Sequence, residues 1–262
     1  MMSFLLPARV LPKSSRLLSQ AAASTSHPLP LSSSFPSMLA KLLMSPHASP
    51  TPTIFLTGDL GAGKTTTTAS LIRHLTGDLA TSPTYLLQNV YTAEADDLAI
   101  NHIDCYRLGP NCFDELQGIL GQDFLTGGVR GADATEKCIT IVEWANYLSN
   151  DLFDDRLPAL VGEGGGGRID MAISVATADS GGGGEGGGGA GDRLKLDFSH
   201  LGVEGAGDDE GAGAGRTVRL AAADNDSLSE FLRGQGVELD EDEREVREAL
   251  LASVGKDSTK SA

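Results

Sequence analysis

Short apolar runs separated by helix-like segments occupy the middle of the chain, in an order typical of an α/β protein. Three runs rich in β-branched residues predict buried strands: "IFLT" beginning at Ile54, "LAINHID" ending at Asp104 and "CITIVE" ending at Glu143. The segment "TTTTASLIRHL", which follows the first run, carries its apolar residues at helical spacing. The pattern therefore predicts a strand, a turn and a helix, followed by further strands of an open sheet.

A second set of strand-like runs lies among glycine tracts in the C-terminal half. The runs are "RIDMAISVA", "RLKLDF" and "RTVRLAA", and the first alternates apolar and polar residues as a half-buried strand does. The glycine-rich stretches 162–167 and 180–215 offer no side chains to pack, so we interpret them as enlarged hairpin loops in an antiparallel extension of the sheet. Residues 222–262 are a predicted acidic tail with one amphipathic helix in "REVREALLASV", and "ELDEDERE" is interpreted as a solvated charge run.

The N-terminal segment has the composition of a targeting sequence. Between Met1 and Gly58 there is no Asp or Glu, whereas basic residues and serines are present. Residues 1–36 are therefore predicted to be an organelle transit peptide, and the alternative is a disordered tail rich in serine and proline. The expected address is a plastid, which the serine content favours, or a mitochondrion, and the cytoplasm if the segment is not cleaved. The folded domain is predicted to span residues 37–221 and to begin with a helix in "SMLAKLLMS".

Composition and charge argue against several classes of protein. The chain has 262 residues, of which 33 are glycine, and a formal net charge of −16. Such a charge repels a phosphate backbone and argues against a broad nucleic-acid-binding surface. The three cysteines have neither CxxC nor metal-ligand spacing, so we interpret them as reduced and buried. No apolar run approaches the roughly 18 residues of a membrane-spanning helix.

The turn after the first strand matches the pattern G-x-x-x-x-G-K-[ST]. Its residues are Gly58, Asp59, Leu60, Gly61, Ala62, Gly63, Lys64 and Thr65. Glycines let backbone N–H groups turn inward at the start of a helix, where they form a site for phosphate oxygens. Lys64 is expected to reach the β- and γ-phosphates and the Thr65 hydroxyl to bind Mg²⁺. The alternative is a glycine turn with an incidental lysine.

Two further strands end in a carboxylate, Asp104 and Glu143. Ligands of an open parallel sheet bind beyond the carboxyl ends of its strands, so both acids are expected at the edge where the glycine loop lies. There they would serve the metal and the attacking water. Each acid taken alone could instead cap a helix or pair with a surface cation.

Three other side chains are candidates near this edge. Thr84, in the polar turn "TSPT", could contact the γ-phosphate or the metal, or could cap the turn. Trp144 could pack as core or cover the nucleotide. His102, within the strand that ends at Asp104, is interpreted as structural rather than catalytic.

These motifs together resemble the TsaE (YjeE) family of small P-loop ATPases. The shared segments are "GDLGAGKTT", "SPTY", "HIDCYRL", "DEL", "DFL", "IVEWANYL" and "LP", between about Met38 and Pro158. The resemblance implies a three-layer α/β P-loop NTPase sheet of mixed parallel and antiparallel strands. It also implies roles in binding the triphosphate and metal for Lys64, Thr65 and Thr66, in a switch-like loop for Thr84, and in metal binding and hydrolysis for Asp104 and Glu143, with Trp144 beside them.

The same resemblance implies a function in threonylcarbamoyladenosine modification of tRNA, on a synthase complex of TsaD and TsaB type. The expected cofactors are ATP and Mg²⁺, and ATP is preferred over GTP because the chain has no N-K-x-D motif. Glu143 is expected to orient the attacking water, with Lys64 and Asp104 as the other catalytic residues and slow hydrolysis in isolation. The alternatives are a small-molecule or nucleotide kinase, which the single Arg107 of "YRLGPNCFDELQG" does not favour, and a non-hydrolysing ATP-dependent assembly module.

Overall fold

Among the described residues, strands from both halves of the chain form one mixed sheet of eight strands. The computed structural model describes residues 23–25, 28–49, 51–93, 97–122, 124–125, 137–148, 167–175, 215–222 and 225–254. The strands are β1 (Ala23–Ser24), β2 (Leu29–Pro30), β3 (Thr53–Thr57), β4 (Gln88–Ala93), β5 (Leu98–Asp104), β6 (Lys137–Glu143), β7 (Arg168–Val175) and β8 (Arg216–Ala222). Their order across the sheet is β1-β8-β7-β3-β6-β5-β4, and β2 also pairs with β8.

The central strands are parallel and the outer ones antiparallel. β3 lies between β6 and β7 and is parallel to both, and β5 is parallel to β6. At the two sides, β4 is antiparallel to β5, and β8 is antiparallel to β7. The predicted mixed α/β sheet is confirmed, as is the antiparallel pairing of the runs "RIDMAISVA" and "RTVRLAA". The run "RLKLDF" and nearly all of both glycine tracts lie outside the described residues.

Helices cover both faces of the sheet. They are α1 (Phe35–Leu43), α2 (Lys64–Thr76), α3 (Phe113–Leu120), α4 (Asn225–Arg233) and α5 (Glu241–Ser253), with a 3-10 turn at Ala145–Tyr147. Alternate side chains of β3 enter two separate cores: Ile54 and Leu56 pack with α1 and α2, whereas Phe55 packs with α3. The result is the predicted three-layer arrangement. No helix among the described residues is both long and apolar enough to cross a membrane. All three cysteines are buried, as predicted.

The apolar run "YLL" at residues 85–87 is strand-like in sequence but lies outside β4. β4 starts at Gln88, and the Tyr85 side chain is 85% exposed. The reason is a turn at Pro83, whose carbonyl accepts hydrogen bonds from the N–H groups of Leu86 and Leu87, the second with φ of 66°. These three apolar residues therefore belong to a turn and not to a strand.

The folded unit extends further toward the N-terminus than residue 37. β1 and β2 pair with β8, and α1 begins at Phe35. Leu31 and Phe35 are buried in the core. A strand of two residues is too short to show the alternation by which strands are found in a sequence, and one of these two contains proline. The transit peptide stays a prediction, since residues 1–22 lie outside the described part of the chain.

The predicted acidic tail contains two helices that pack on the domain. Leu228, Leu232 and Leu250 are buried in the same core as α1. Within the "ELDEDERE" run, Glu243 is not solvated: its carboxylate accepts hydrogen bonds from Ser37 and Lys41. Burial alone would raise the pKa of Glu243, but these hydrogen bonds and one from its capping box outweigh burial and hold the pKa below its usual value. The interpretation of this run as wholly solvated was wrong at that position.

Deleting residues 1–36 is expected to lower the free energy of unfolding by at least about 3 kcal/mol, relative to a chain that begins at residue 23, because it removes β1, β2 and the buried Phe35. Urea denaturation of the two truncated proteins measures the difference. Equal unfolding midpoints would show that β1 and β2 contribute nothing to the fold.

Candidate nucleotide site

The glycine loop joins β3 to α2 at the carboxyl edge of the sheet. β3 ends at Thr57 and α2 begins at Lys64, as the sequence pattern predicts. Gly58 has φ of 150°, and a Cβ at this position would lie 2.2 Å from the carbonyl oxygen of Ile173. Gly63, with φ of 97°, precedes the helix in a left-handed conformation. Both positions therefore require glycine, and the loop backbone is turned toward the start of the helix.

Lys64 is buried across this loop rather than extended into solvent. Its Nζ donates hydrogen bonds to the carbonyl oxygens of Gly58 at 2.9 Å and Asp59 at 2.8 Å. The ammonium also lies 3.7 Å from the centre of the Trp144 ring. Burial lowers the pKa of Lys64, and the nearby charges of Glu143, Asp104 and Asp59 oppose that change. A phosphate bound in the loop would therefore meet an ammonium already held in place.

Asp104 and Glu143 end neighbouring parallel strands and lie side by side in the sheet. Asp104 of β5 pairs in register with Glu143 of β6, and Glu143 pairs with Leu56 of β3. Adjacent strands are about 4.8 Å apart. Both carboxylates lie at the edge that carries the glycine loop, where the sequence analysis expects them.

Glu143 is fully buried and held by two side chains. Its Oε2 accepts a hydrogen bond from the Thr65 hydroxyl at 2.7 Å, and its Oε1 lies 2.9 Å from Nε2 of His102. His102 is also buried, and its Nδ1 has no hydrogen-bond partner within the described part of the protein. The structural role expected for His102 therefore includes orienting Glu143, a contact that the sequence did not reveal.

Asp104 is held by the polar turn before β4. The hydroxyl of Thr84 donates to Oδ2 at 2.8 Å, the hydroxyl of Ser82 lies 3.3 Å from the same oxygen, and the N–H of Tyr106 donates to Oδ1 at 2.9 Å. Thr84 thus contacts a site carboxylate rather than only its own turn. Ser82 was missed by the sequence analysis, although it lies in the same "TSPT" turn.

Trp144 packs partly buried against the core on the α3 side of the sheet, and its contact with a nucleotide stays a prediction. The residue has φ of 57°, is half-buried, and its ring lies 4.9 Å from Tyr106 and 5.3 Å from Tyr147. One ring face contacts the Lys64 ammonium. The indole therefore lines the site, where its ring packs against the Lys64 ammonium.

The remaining predicted residues differ in exposure. Three loop residues are exposed: Asp59, Leu60 and Gly61. They would contribute to phosphate binding through their backbone N–H groups. Ala62 is buried beneath the loop, and Thr66 is half-buried on the first turn of α2.

The oxygen atoms at this edge are chemically suited to Mg²⁺. The donors are the hydroxyl of Thr65, which is hydrogen-bonded to Glu143, and the carboxylates of Glu143 and Asp104. Asp104 is held separately, by the hydroxyl of Thr84. Among the described residues, no cluster of three or more His, Cys, Asp or Glu side chains could hold a metal by itself. Mg²⁺ usually binds one or two carboxylates together with substrate phosphates and water, so the set fits Mg²⁺ that arrives with a triphosphate.

The loop, its lysine and the two strand-end acids place the chain in the class of P-loop nucleotide-binding α/β proteins. The profile of the family described as "Threonylcarbamoyl adenosine biosynthesis protein TsaE" matches residues 33–165. The chain belongs to the TsaE family, as the resemblance implied, and this is a P-loop ATPase family of tRNA threonylcarbamoyladenosine biosynthesis.

Two relatives of known name agree with this assignment. The chain is 32% identical over 105 residues to "tRNA threonylcarbamoyladenosine biosynthesis protein TsaE" of Streptomyces coelicolor, covering 40% of this chain and 64% of that protein. It is 34% identical over 124 residues to the protein of the same name from Haemophilus influenzae, covering 46% and 76%. The crystal structure of YdiB from Bacillus subtilis aligns with a TM-score of 0.40 and 18% identity, over 79% of this chain and 95% of that one.

Proposed function

We propose that this protein hydrolyses ATP in the presence of Mg²⁺ and thereby serves a TsaD–TsaB-type synthase that forms threonylcarbamoyladenosine on tRNA. Family membership supports the pathway. The observation that carries the ATPase proposal is the Thr65–Glu143 hydrogen bond, because it joins the phosphate loop directly to a strand-end acid.

The residues of the site have separate roles in ATP hydrolysis. The loop N–H groups and Lys64 bind the phosphates, while Thr65 and Asp104 would hold Mg²⁺, which Glu143 would contact only through water. When bound, Mg²⁺ would neutralise charge on the phosphate oxygens. Glu143 orients a water molecule toward the γ-phosphorus and accepts its proton. The bond to the β,γ-bridging oxygen then breaks, and ADP and phosphate are released.

Two features support an accessory role rather than direct action on tRNA. The net charge of −16 disfavours a broad tRNA-binding surface. Large apolar side chains are exposed beside the site instead: Tyr85 is 85% exposed, Leu86 75% and Tyr106 43%, and Arg107 lies 5.2 Å from the Tyr85 ring. We call Tyr85, Leu86 and Tyr106 the mouth surface. Exposed tyrosines beside an arginine are typical of protein interfaces, and an exposed apolar patch indicates an interaction site, so we assign the mouth surface to the synthase.

The double variant Tyr85→Ser, Leu86→Ser is expected to weaken binding to TsaD and TsaB homologues by at least about tenfold, because it removes the two most exposed side chains of the mouth surface. Calorimetry or a pull-down in the presence of ATP measures the affinity. Leu79→Ser is the matched control, since Leu79 is 63% exposed but lies beyond the far end of α2. Equal losses in the control and the double variant would contradict this assignment.

The function itself is tested by incubating the protein with ATP and Mg²⁺, with and without the synthase homologues. We expect slow phosphate release that rises when the synthase is present, because a missing in-trans element can slow an NTPase by factors of about 10³ to 10⁵. Transfer of phosphate to a small acceptor would indicate a kinase instead. Tight ATP binding without phosphate release under either condition would indicate an assembly module.

A further inference from the structure

Strand β8 begins at the same edge of the sheet as the phosphate loop. β7 is parallel to β3, so its last residue, Val175, lies toward the carboxyl edge, and Arg216 pairs in register with Val175. The carbonyl oxygen of Ile173, two residues before Val175, closely approaches Gly58. The hairpin formed by β7 and β8 thus brings Arg216 to the loop.

The Arg216 side chain contacts the loop directly. A Cβ placed on Gly63 would lie 3.1 Å from Nε and 3.2 Å from Cδ of Arg216. Gly63 is the residue immediately before Lys64 and the start of α2, where phosphate oxygens would bind. The aliphatic part of the Arg216 side chain therefore lies against Gly63, next to the expected position of the phosphates.

Among the described residues, no carboxylate competes with an anion for the guanidinium of Arg216. Arg216 is exposed, and within the described part of the chain no carboxylate forms an ion pair with it. Neighbouring arginines are committed elsewhere: Arg168 binds Asp170 through two nitrogens, and Arg219 donates to the carbonyl oxygen of Thr25. Of these three, only Arg216 both contacts the loop and has a guanidinium that pairs with no carboxylate of the described residues.

We propose that Arg216 contacts a phosphate of the bound nucleotide and stabilises the charge that develops on it during hydrolysis. Arg216 reaches the loop from β8, beyond β7, whereas Asp104 and Glu143 reach it from β5 and β6 on the other side of β3. The triphosphate would then lie between the acids with their metal and the guanidinium. A planar guanidinium can donate two parallel hydrogen bonds to phosphate, and an arginine supplied within the same chain is a known device of phosphoryl transfer. This inference rests on the proposed ATPase function.

The contact between Arg216 and the loop gives a second reason why position 63 is glycine. Any side chain at position 63 would have to displace the Arg216 side chain, in addition to adopting a left-handed backbone conformation. Lys64 provides a positive charge inside the loop, and Arg216 adds another outside it. A protein of net charge −16, with Asp59, Asp104 and Glu143 at one site, benefits from such a local cation when it binds a polyanion.

The test compares Arg216→Ala and Arg216→Lys with the control Arg233→Ala, an exposed arginine at the end of α4. We expect Arg216→Ala to lower kcat/KM for ATP by about 10²-fold, and Arg216→Lys to recover only part of the loss, because an ammonium cannot form the paired hydrogen bonds. Added guanidinium ion is expected to restore activity partly to Arg216→Ala, whereas Arg233→Ala retains the parent rate. Thermal unfolding of each variant checks that it folds.

The outcomes separate this inference from the proposed function. If the parent protein hydrolyses ATP and Arg216→Ala matches Arg233→Ala in kcat/KM, the inference fails and the ATPase stands. If the parent binds ATP without hydrolysing it, the expected result is a loss of ATP affinity of at least about tenfold in Arg216→Ala, and an unchanged affinity overturns the inference. A parent protein that neither binds nor hydrolyses ATP overturns both.

Discussion

Replacing Glu143 by glutamine lowers the rate of ATP hydrolysis by about 10²- to 10⁴-fold, while the protein still binds ATP. Glutamine keeps the size of the side chain and an oxygen that can accept the hydrogen bond from Thr65. It cannot accept a proton from water, and it removes the negative charge beside His102 and Lys64. The loss is therefore expected in kcat rather than in nucleotide affinity.

Phosphate release under single-turnover conditions measures this loss, with the synthase homologues present so that the parent rate is high. Glu245→Gln in α5 is the matched control, because it makes the same chemical change on an exposed helix away from the loop. A Glu143→Gln protein that hydrolyses ATP at the parent rate would remove Glu143 from the mechanism.

Replacing Lys64 by methionine is expected to weaken ATP binding by about ten- to a hundredfold and to abolish measurable hydrolysis. Methionine has nearly the length of lysine and can still pack against Trp144, but it cannot donate a hydrogen bond or carry a charge. A hydrogen bond to a charged group is worth about 1.5–3 kcal/mol, which corresponds to this range of affinity. Calorimetric titration with ATP and Mg²⁺ measures it.

Lys137→Met is the matched control for this prediction. Burial lowers the pKa of Lys137 as it does that of Lys64, but Lys137 begins β6 and so lies at the opposite end of that strand from Glu143. A loss of ATP affinity in Lys137→Met equal to that in Lys64→Met would show that general destabilisation, rather than a lost phosphate contact, explains the effect.

The central strands and the loop were predictable because their signals are local. β3, β5 and β6 are short apolar runs, and the glycines that begin and end the loop lie within six consecutive residues. The peripheral elements were not predictable in the same way. β1 and β2 have two residues each, and the docking of α5 depends on Glu243 meeting Lys41 about two hundred residues earlier in the chain. Such contacts depend on tertiary packing and leave no periodic pattern.

The site was predictable in its residue types but not in its contacts. Strand ends gave Asp104 and Glu143, because parallel strands bring their carboxyl ends to one edge. The contact of His102 with Glu143 depends on strand register and side-chain rotamers. Arg216 follows a glycine tract, and only the pairing of β7 with β8 brings it to the loop.

Trp144 allows the central claim to be tested directly, since it is the single tryptophan of the chain and contacts the Lys64 ammonium. The measurement is the tryptophan fluorescence of the parent protein and of Lys64→Met during titration with ATP and Mg²⁺. We expect a saturable change in the parent protein with one ATP per chain. The affinity should fall when Mg²⁺ is removed, and by about tenfold or more in Lys64→Met. The absence of any saturable change, or identical titration curves for the two proteins, would contradict the central claim.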